Sequence, residues 1–381
     1  MNIAQVNGYH LGYDLDRYHG NSHGRIRRRE VFVVELRDAD GRSGWGETAF
    51  CSAAASAHVR SVLAPLVLGS SRQQRKPLWR EMLASRGYDR RGVSMMGISA
   101  IDMALHDLAA RQAGLSIADL LGGAVRRRFP VYASGPYLGS PDSPYATVPS
   151  EIAALLDRGF RAVKPRIGAG VAEDIRMLSA LREQVGSDID LMADANGRYT
   201  TSAAQVLLGE LAPLRLSFVE EPVDPSNIEG IARLAGSGLV PIAAGESTAD
   251  LPAFSELLST APIAVLQPDL GVCGGFTGFA EAAALADAHH VPVMPHIWGG
   301  AIGFFASMQA AAQLPSAISA GSSGFPLIEM DVAENPLLHL FGPVEPATDG
   351  AIELPAGPGI GVDVDPETFA PYLVEKWTLG K

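Results

Sequence analysis

The sequence predicts an α/β protein in which a barrel of alternating strands and helices follows a smaller α+β domain. The length, 381 residues, is enough for two domains or for one large α/β unit with an appendage. Hydrophobic residues make up 47% of the chain and charged residues 19%, which excludes the disordered and fibrous classes. From Phe129 onward, short apolar runs recur at nearly constant intervals, and each is followed by a segment rich in Ala and Leu.

The N-terminal part is predicted to combine a β-hairpin with helices. Residues 30–36 and 44–47 are two β-rich runs, and the turn residues at 38–41 join them as an antiparallel hairpin. Apolar residues at helical spacing over 97–113 then predict an amphipathic helix with one buried stripe.

The remainder is predicted to alternate between strands and helices. A closed barrel of the (β/α)8 type is the simplest arrangement of eight such units. A doubly wound open sheet is the alternative, and it is disfavoured because no strand is followed by a glycine-rich phosphate loop. The predicted strands are residues 129–133, 162–167, 191–195, 216–222, 241–246, 264–270, 291–296 and 327–332.

Polar residues stand at the ends of these predicted strands, and a parallel barrel brings such ends to one mouth. Three successive strands end with a carboxylate, at Asp194, Glu220 and Glu246. Three carboxylates would repel one another without a counter-charge, so they predict an oxygen site for a hard divalent cation, Mg2+. Any one of them alone could instead be a helix N-cap or a solvated loop acid.

Two further pairs of residues belong to the same mouth. Asp269 and His296 end neighbouring strands, and a carboxylate beside an imidazole fixes the tautomer and makes the histidine a general base. Lys164 and Arg166 are two residues apart and can both point inward, whereas strand alternation prevents Glu220 and Glu221 from doing so.

These motifs resemble the enolase superfamily, in particular the mandelate racemase subgroup of the mandelate racemase/muconate lactonizing enzyme family. Asp194 with Asn196, VEEP at Glu220, GES at Glu246, LQPDLGVCGG and PHIWGG carry the resemblance. It implies an α+β capping domain at 1–125, a modified (β/α)7β barrel at 126–343 and a segment at 344–381 that returns to the cap. It also implies that Asp194, Glu220 and Glu246 bind Mg2+.

The sequence departs from the family at Arg166. Members of the subgroup usually carry Lys-x-Lys on this strand, and the second lysine is a base opposite the histidine. An arginine holds its proton and suits a substrate carboxylate or hydroxyl instead. Lys164 matches the supporting lysine of the family, although a neighbouring cation could lower its pKa enough for it to act as a base.

The resemblance to acid-sugar members, which include galactarolactone cycloisomerases and sugar-acid dehydratases, implies an activity. We expect Mg2+-dependent removal of the proton α to a carboxylate through an enediolate, with His296 as the base. Dehydration of a sugar acid to a 2-keto-3-deoxy acid is the first expectation, because one base can also protonate the leaving hydroxyl. The alternatives are a lactone cycloisomerase, a racemase or epimerase, and a non-catalytic protein that retains the fold.

Other residues are expected to contact the substrate or support the reaction. Glu329 is either an acid near the substrate carboxylate or a structural carboxylate paired with a loop donor. In the cap, the polar segment 14–29 with His19 and His23, followed by the loop 47–56, is expected to close over the mouth and to suit a hydroxylated anion. We expect Asn196 to contact the substrate as well.

Composition limits the partners and the compartment. The formal net charge of −12 disfavours nucleic acid and anionic membranes. The N-terminus lacks the pattern of a signal peptide, the apolar stretch 297–314 is predicted to be a buried helix, and two cysteines without CxxC spacing fit a reducing cytoplasm. We therefore expect a cytoplasmic enzyme for a small carboxylate, present as a homo-oligomer.

Overall fold

The computed structural model describes residues 2–318 and 324–380. The chain begins with three antiparallel strands, β1 (Ile3–Asn21), β2 (Gly24–Asp38) and β3 (Ser43–Thr48). The apolar run of β2 is buried on both faces, because Val31 and Val33 join the core of the barrel while Phe32 and Val34 join that of the cap helices. The predicted hairpin is confirmed, and the polar segment 14–29 forms a second hairpin that turns at 22–23.

Helices of the cap pack against this sheet. The longest, α4, covers the predicted helix 97–113 and begins four residues earlier. It is buried on nearly all sides rather than along one stripe, because β3 approaches it closely: a Cβ on Gly44 would lie 2.3 Å from the carbonyl oxygen of Ala104. The cap helices are α1 (Ser52–His58), α2 (Ala64–Val67), α3 (Arg75–Ala84), α4 (Val93–Ala113) and α5 (Ile117–Leu120).

The barrel strands are short and parallel. Every predicted run except 291–296 contains a strand, and that run joins the sheet through the bridges Leu266–Val293 and Asp269–His296. The hydrogen-bonded orders are β11-β4-β5-β6 and β7-β8-β9-β10. The strands are β4 (Arg128–Ser134), β5 (Ala162–Lys164), β6 (Asp190–Leu191), β7 (Ala193–Asp194), β8 (Val219–Glu220), β9 (Ile242–Ala244), β10 (Val265–Leu266) and β11 (Ile328–Asp331).

A separate apolar cluster fills the barrel interior. It takes one residue from each of the eight strand positions, as expected for a closed barrel whose inward side chains form a layer. Its members at those positions are Tyr132, Ala162, Met192, Phe218, Ala243, Val265, Met294 and Leu327.

Seven helices follow the first seven strand positions. The segment after β11 forms two 3-10 helices, Pro336–His339 and Pro366–Tyr372, and the described part of the chain contains no α-helix after β11. This arrangement is the (β/α)7β barrel that the resemblance implied. The helices are α6 (Val148–Asp157), α7 (Val171–Val185), α8 (Thr201–Leu211), α9 (Ile228–Gly236), α10 (Leu251–Thr260), α11 (Gly275–Ala288) and α12 (Ala301–Ala311).

The C-terminal segment contacts both parts of the molecule. Strand β12 (Ala351–Glu353) pairs with β4, and β13 (Leu373–Gly380) completes the cap sheet beside β1. The domain limits 1–125, 126–343 and 344–381 stay a prediction, and their outermost residues, Met1 and Lys381, lie outside the described residues. No helix among the residues described is both long and apolar enough to cross a bilayer.

Candidate active site

The predicted metal site lies at the carboxyl ends of β7 to β9. Asp194 and Glu220 are neighbours in register, and ligand atoms of Glu220, Glu246 and His296 lie within 4.8 Å of one another. Oε1 of Glu220 is buried and has no hydrogen-bond partner among the described residues, and the nearest cationic group to Oε2 of Glu246 is Nε2 of His296, at 3.3 Å. A cation would satisfy these buried carboxylate oxygens, so these residues fit a hard ion such as Mg2+.

Asp194 is held by other groups in this structure. The guanidinium of Arg166 contacts its carboxylate, and Asn196 donates its backbone N–H at 2.8 Å and its side-chain amide at 3.1 Å. The compact group of possible ligands therefore contains His296 and does not contain Asp194. The role of Asp194 as a ligand and that of Asn196 in substrate binding stay predictions.

Lys164 is fully buried between carboxylates. Its Nζ lies 2.5 Å from Glu220 and 2.9 Å from Glu329. Burial lowers the pKa of Lys164, but the attraction of Glu220 and Glu329 outweighs it and holds the pKa above its ordinary value. Lys164 therefore carries its proton and supplies positive charge to the site.

Arg166 is also buried and charged. Its side chain lies over the ring of Tyr137, at 5.2 Å from the ring centre, and donates to the hydroxyl of Ser134 at 3.2 Å. Burial lowers the pKa of Arg166, but Tyr137, Glu329 and other acidic groups raise it above its ordinary value. The arrangement places a cation where the family resemblance implies a base.

His296 and Asp269 form the predicted pair. Nδ1 of His296 lies 2.7 Å from Asp269 Oδ2, and Nε2 lies 3.3 Å from Glu246. Burial lowers the pKa of His296, but Glu246, Glu329 and Asp269 outweigh it and raise the pKa to about 10. Asp269 also accepts the N–H of Gly271 at 2.6 Å. This bond orients the Asp269 carboxylate, which in turn orients the imidazole of His296.

Glu329 has the loop donor that one of its two predicted roles calls for, and its role as an acid near the substrate carboxylate stays a prediction. It pairs with Lys164, and its other oxygen accepts the N–H of Ile297, next to His296, at 2.9 Å. Burial raises the pKa of Glu329, but Lys164, His296 and Arg166 lower it by more, so this carboxylate is ionised. Its contact with the loop of His296 is the loop-donor arrangement.

Strand alternation fails at Glu221. This residue has a φ of 36°, which ends the extended conformation directly after Glu220. Its carboxyl group is buried, and burial raises its pKa well above the usual value, with Glu246 and Glu220 adding to the effect. Alternation therefore does not separate Glu221 from the charged groups of the mouth.

Of the two cap histidines that are predicted to contact the substrate, His19 lines a cavity and His23 does not. His19 is half-buried, lies 6.1 Å from Tyr137 between ring centres, and lines a cavity of about 750 Å³ together with Tyr137 and Arg17. His23 is exposed at the hairpin turn, away from the described residues that line this cavity. The predicted loop 47–56 consists of the end of β3, a short connection and the start of α1.

Three aromatic residues and one ion pair at the mouth were not identified from the sequence. Phe50 stacks on Trp298 with 5.4 Å between ring centres and lies 6.2 Å from the ring of His296. Arg29 lies between Tyr137 and Trp298 and pairs with Asp331 at 2.9 Å. The tryptophan in the PHIWGG motif can be recognised in the sequence, but no sequence pattern indicates that Arg29 and Asp331 form a pair.

Comparisons with known proteins cover nearly the whole chain. The enolase C-terminal domain-like family matches residues 148–368, and the N-terminal domain of mandelate racemase / muconate lactonizing enzyme matches residues 18–122. The D-galactarolactone cycloisomerase of Agrobacterium fabrum is 33% identical, covering 98% of this chain and 99% of the relative. The arabinonate dehydratase of Saccharolobus solfataricus is 31% identical, covering 90% of both. A crystal structure of a racemase from Streptomyces coelicolor with bound magnesium is 30% identical, with a TM-score of 0.86 over 98% of this chain and 100% of the other.

Proposed function

Because the chain belongs to the mandelate racemase / muconate lactonizing enzyme family of the enolase superfamily, we propose that it removes the proton α to the carboxylate of an acid sugar. The observation that carries the proposal is the buried His296–Asp269 pair beside the carboxylates of Glu220 and Glu246. The protein is an enzyme, and Mg2+ is its cofactor.

The residues that would hold the ion are Asp194, Glu220 and Glu246. When bound, Mg2+ supplies positive charge to the substrate carboxylate where negative charge develops in the enediolate. Lys164 and Arg166 keep their protons and add positive charge beside Glu220 and Asp194.

His296 would take the α-proton at Nε2 in its neutral form. Against burial, which lowers it, Glu246 makes the largest contribution to the raised pKa of His296, and a cation held by Glu246 would offset that attraction and lower the pKa. Asp269 accepts the N–H at Nδ1, which selects this tautomer and stabilises the imidazolium that forms. The imidazolium then donates the same proton to the hydroxyl on the β-carbon, the C–O bond breaks, and water leaves. The resulting enol becomes a 2-keto-3-deoxy acid.

A ring-opening elimination of a sugar lactone is the second candidate. The similarity to the D-galactarolactone cycloisomerase, which extends over 98% of this chain, favours it. The proton transfer from His296 is the same, but the leaving atom is the ring oxygen. Racemisation ranks third, because it needs a base on the opposite face and Arg166 holds its proton.

Assays of mono- and diacid sugars and their lactones with Mg2+ test the proposal. We expect a 2-keto acid or a ring-opened isomer from at least one of them. Glu246→Gln should abolish turnover, whereas Glu256→Gln, the same change on the exposed face of α10, should leave it intact. Full activity of Glu246→Gln in Mg2+, or no reaction with any compound, would contradict the proposal.

The wider setting is also proposed rather than observed. The substrate would be a small carboxylate that contacts His19 and Asn196, and the enzyme would act as a cytoplasmic homo-oligomer. Support for a reducing compartment comes from Cys51 and Cys273, which are both free thiols. Size-exclusion chromatography with light scattering tests the oligomeric state.

A further inference from the structure

Strand β3 of the cap ends beside the Asp269–His296 pair, and its last two side chains contact both loops that carry the pair. Glu47 and Thr48 are 2% and 1% exposed. Glu47 accepts the backbone N–H of Gly300, four residues after His296, at 2.6 Å. Thr48 donates its hydroxyl to the carbonyl of Gly271, two residues after Asp269, at 2.9 Å.

Glu47 holds the start of α12. Besides Gly300, the backbone N–H groups of Ile302 and Gly303 also act on its carboxylate and lower its pKa. The first N–H groups of a helix have no partner within the helix, and a carboxylate there satisfies them and interacts favourably with the helix dipole. The cap thereby supplies the N-terminal partner of a barrel helix.

The sequence around α12 is shaped to admit this carboxylate. A Cβ on Gly299, Gly300 or Gly303 would lie 2.8 Å from an oxygen of Glu47. Side chains at these positions would displace Glu47. The glycines of PHIWGG and the glutamate of GWGE therefore form one contact.

Thr48 acts on the other half of the pair. The carbonyl that it binds belongs to Gly271, four residues before α11 begins, and the N–H of Gly271 donates to Asp269 Oδ1 at 2.6 Å. Fixing Gly271 therefore fixes the carboxylate that orients the imidazole. A hydrogen bond to an exposed loop would not fix the carboxylate in this way, but Thr48 and Asp269 are both buried.

The contacts made by Glu47 and Thr48 both lie beside His296, the proposed base. Glu47, Thr48, Asp269 and His296 line one cavity of about 20 Å³, which has room for about one water molecule. Phe50 covers the imidazole from the same cap segment.

We propose that Glu47 and Thr48 are positioning residues, through which the cap sets the orientation of Asp269 and His296. The inference rests on the proposed function, since it assumes that His296 is the base. Neither side chain needs to touch the substrate. Their loss should therefore slow proton abstraction, and so kcat, without changing KM.

Thr48→Val tests this with a change of nearly constant volume. A displacement of about 1 Å at a catalytic group can cost about 100-fold in rate, so we expect kcat to fall by about 10- to 100-fold. Thr48→Ser keeps the hydroxyl and should retain kcat. Glu47→Ala, which removes the acceptor of the Gly300 N–H, should also lower kcat.

Thr277→Val is the matched control. It removes another hydrogen bond between cap and barrel, from the Thr277 hydroxyl to Asp102 at 2.7 Å, without contacting the pair. Its kcat should stay at the wild-type value. If Thr48→Val behaves like Thr277→Val, or if KM rises in parallel with the loss of kcat, the inference is overturned.

A readout without substrate separates this inference from the proposed function. Modification of His296 by diethyl pyrocarbonate, followed by mass spectrometry, should be faster in Thr48→Val than in wild type and unchanged in Thr277→Val. Equal rates in all three proteins overturn the positioning role. Failure of wild type to react with any acid sugar would overturn the proposed function instead.

Discussion

Replacing Arg29 by methionine removes the cation of a buried ion pair that joins the cap to the barrel. Arg29 lies on β2, its side chain is 3% exposed, and it lies 2.9 Å from Asp331 at the end of β11. The rings of Tyr137 and Trp298 lie at 5.4 and 5.1 Å from its guanidinium carbon. Methionine keeps the apolar contacts with these rings but leaves the carboxylate of Asp331 buried without a cation.

The size of the loss follows from this burial. Removing one partner of a buried ion pair costs about 3–5 kcal/mol. Asp331 keeps three donors, the N–H of Ala333 at 3.1 Å, the hydroxyl of Tyr137 at 3.3 Å and the side-chain amide of Asn335 at 3.4 Å, so its charge is not left wholly without partners. We therefore expect the free energy of unfolding to fall by about 3 kcal/mol, near the lower limit.

Urea denaturation at pH 7 and fixed protein concentration, followed by tryptophan fluorescence, measures the change. Arg80→Met is the matched control: Arg80 also lies against a tryptophan ring and pairs from the cap with barrel residue Glu281, at 3.4 Å, but it is 63% exposed. This control should lose less than about 1 kcal/mol. Adding Asp331→Leu to Arg29→Met should restore part of the lost stability. Equal losses in the two arginine variants would refute the reasoning from burial.

Two other predictions concern the site and its pH dependence. Arg166→Ala should raise KM while retaining some exchange of the α-proton. Arg166→Lys should introduce exchange from the opposite face, which the stereochemistry of the recovered acid would reveal. Loss of all exchange in Arg166→Ala would contradict this prediction. Burial, with Asp269 adding to it, raises the pKa of Glu47 from 4.5 to about 7 against the opposing backbone donors. The folded protein then holds this proton at a higher pH than the unfolded chain, so its contribution to stability falls as pH rises from about 4.5 to about 7. Glu47→Gln should flatten that decline in urea unfolding measured across this range, and an unchanged pH slope would show that Glu47 does not cause it.

The arrangement of the mouth was predictable where it depends on strand periodicity. Asp194 and Glu220 end successive strands, and the structure places them in register; Asp269 and His296 likewise form a bridge between neighbouring strand ends. A repeat of strand and helix determines these positions with little dependence on other contacts.

Contacts between cap and barrel were not predictable in the same way. Arg29 and Asp331, or Glu47 and Gly300, are hundreds of residues apart, and no local pattern announces their pairing. The position of the Glu221 side chain was not predictable from strand alternation, because its backbone has a φ of 36° and is not extended. Such features depend on how two folded units pack together or on a local backbone conformation. Neither can be derived from the composition or from the spacing of residues along the chain.

Deuterium incorporation at the α-carbon of an acid sugar in D2O with Mg2+, measured for wild type and His296→Asn, tests the central claim most directly. We expect wild type to form product and to exchange the α-proton, and His296→Asn to lose both while its thermal unfolding stays cooperative. Exchange by His296→Asn at close to the wild-type rate would contradict the account, because Lys164 would then have to be the working base.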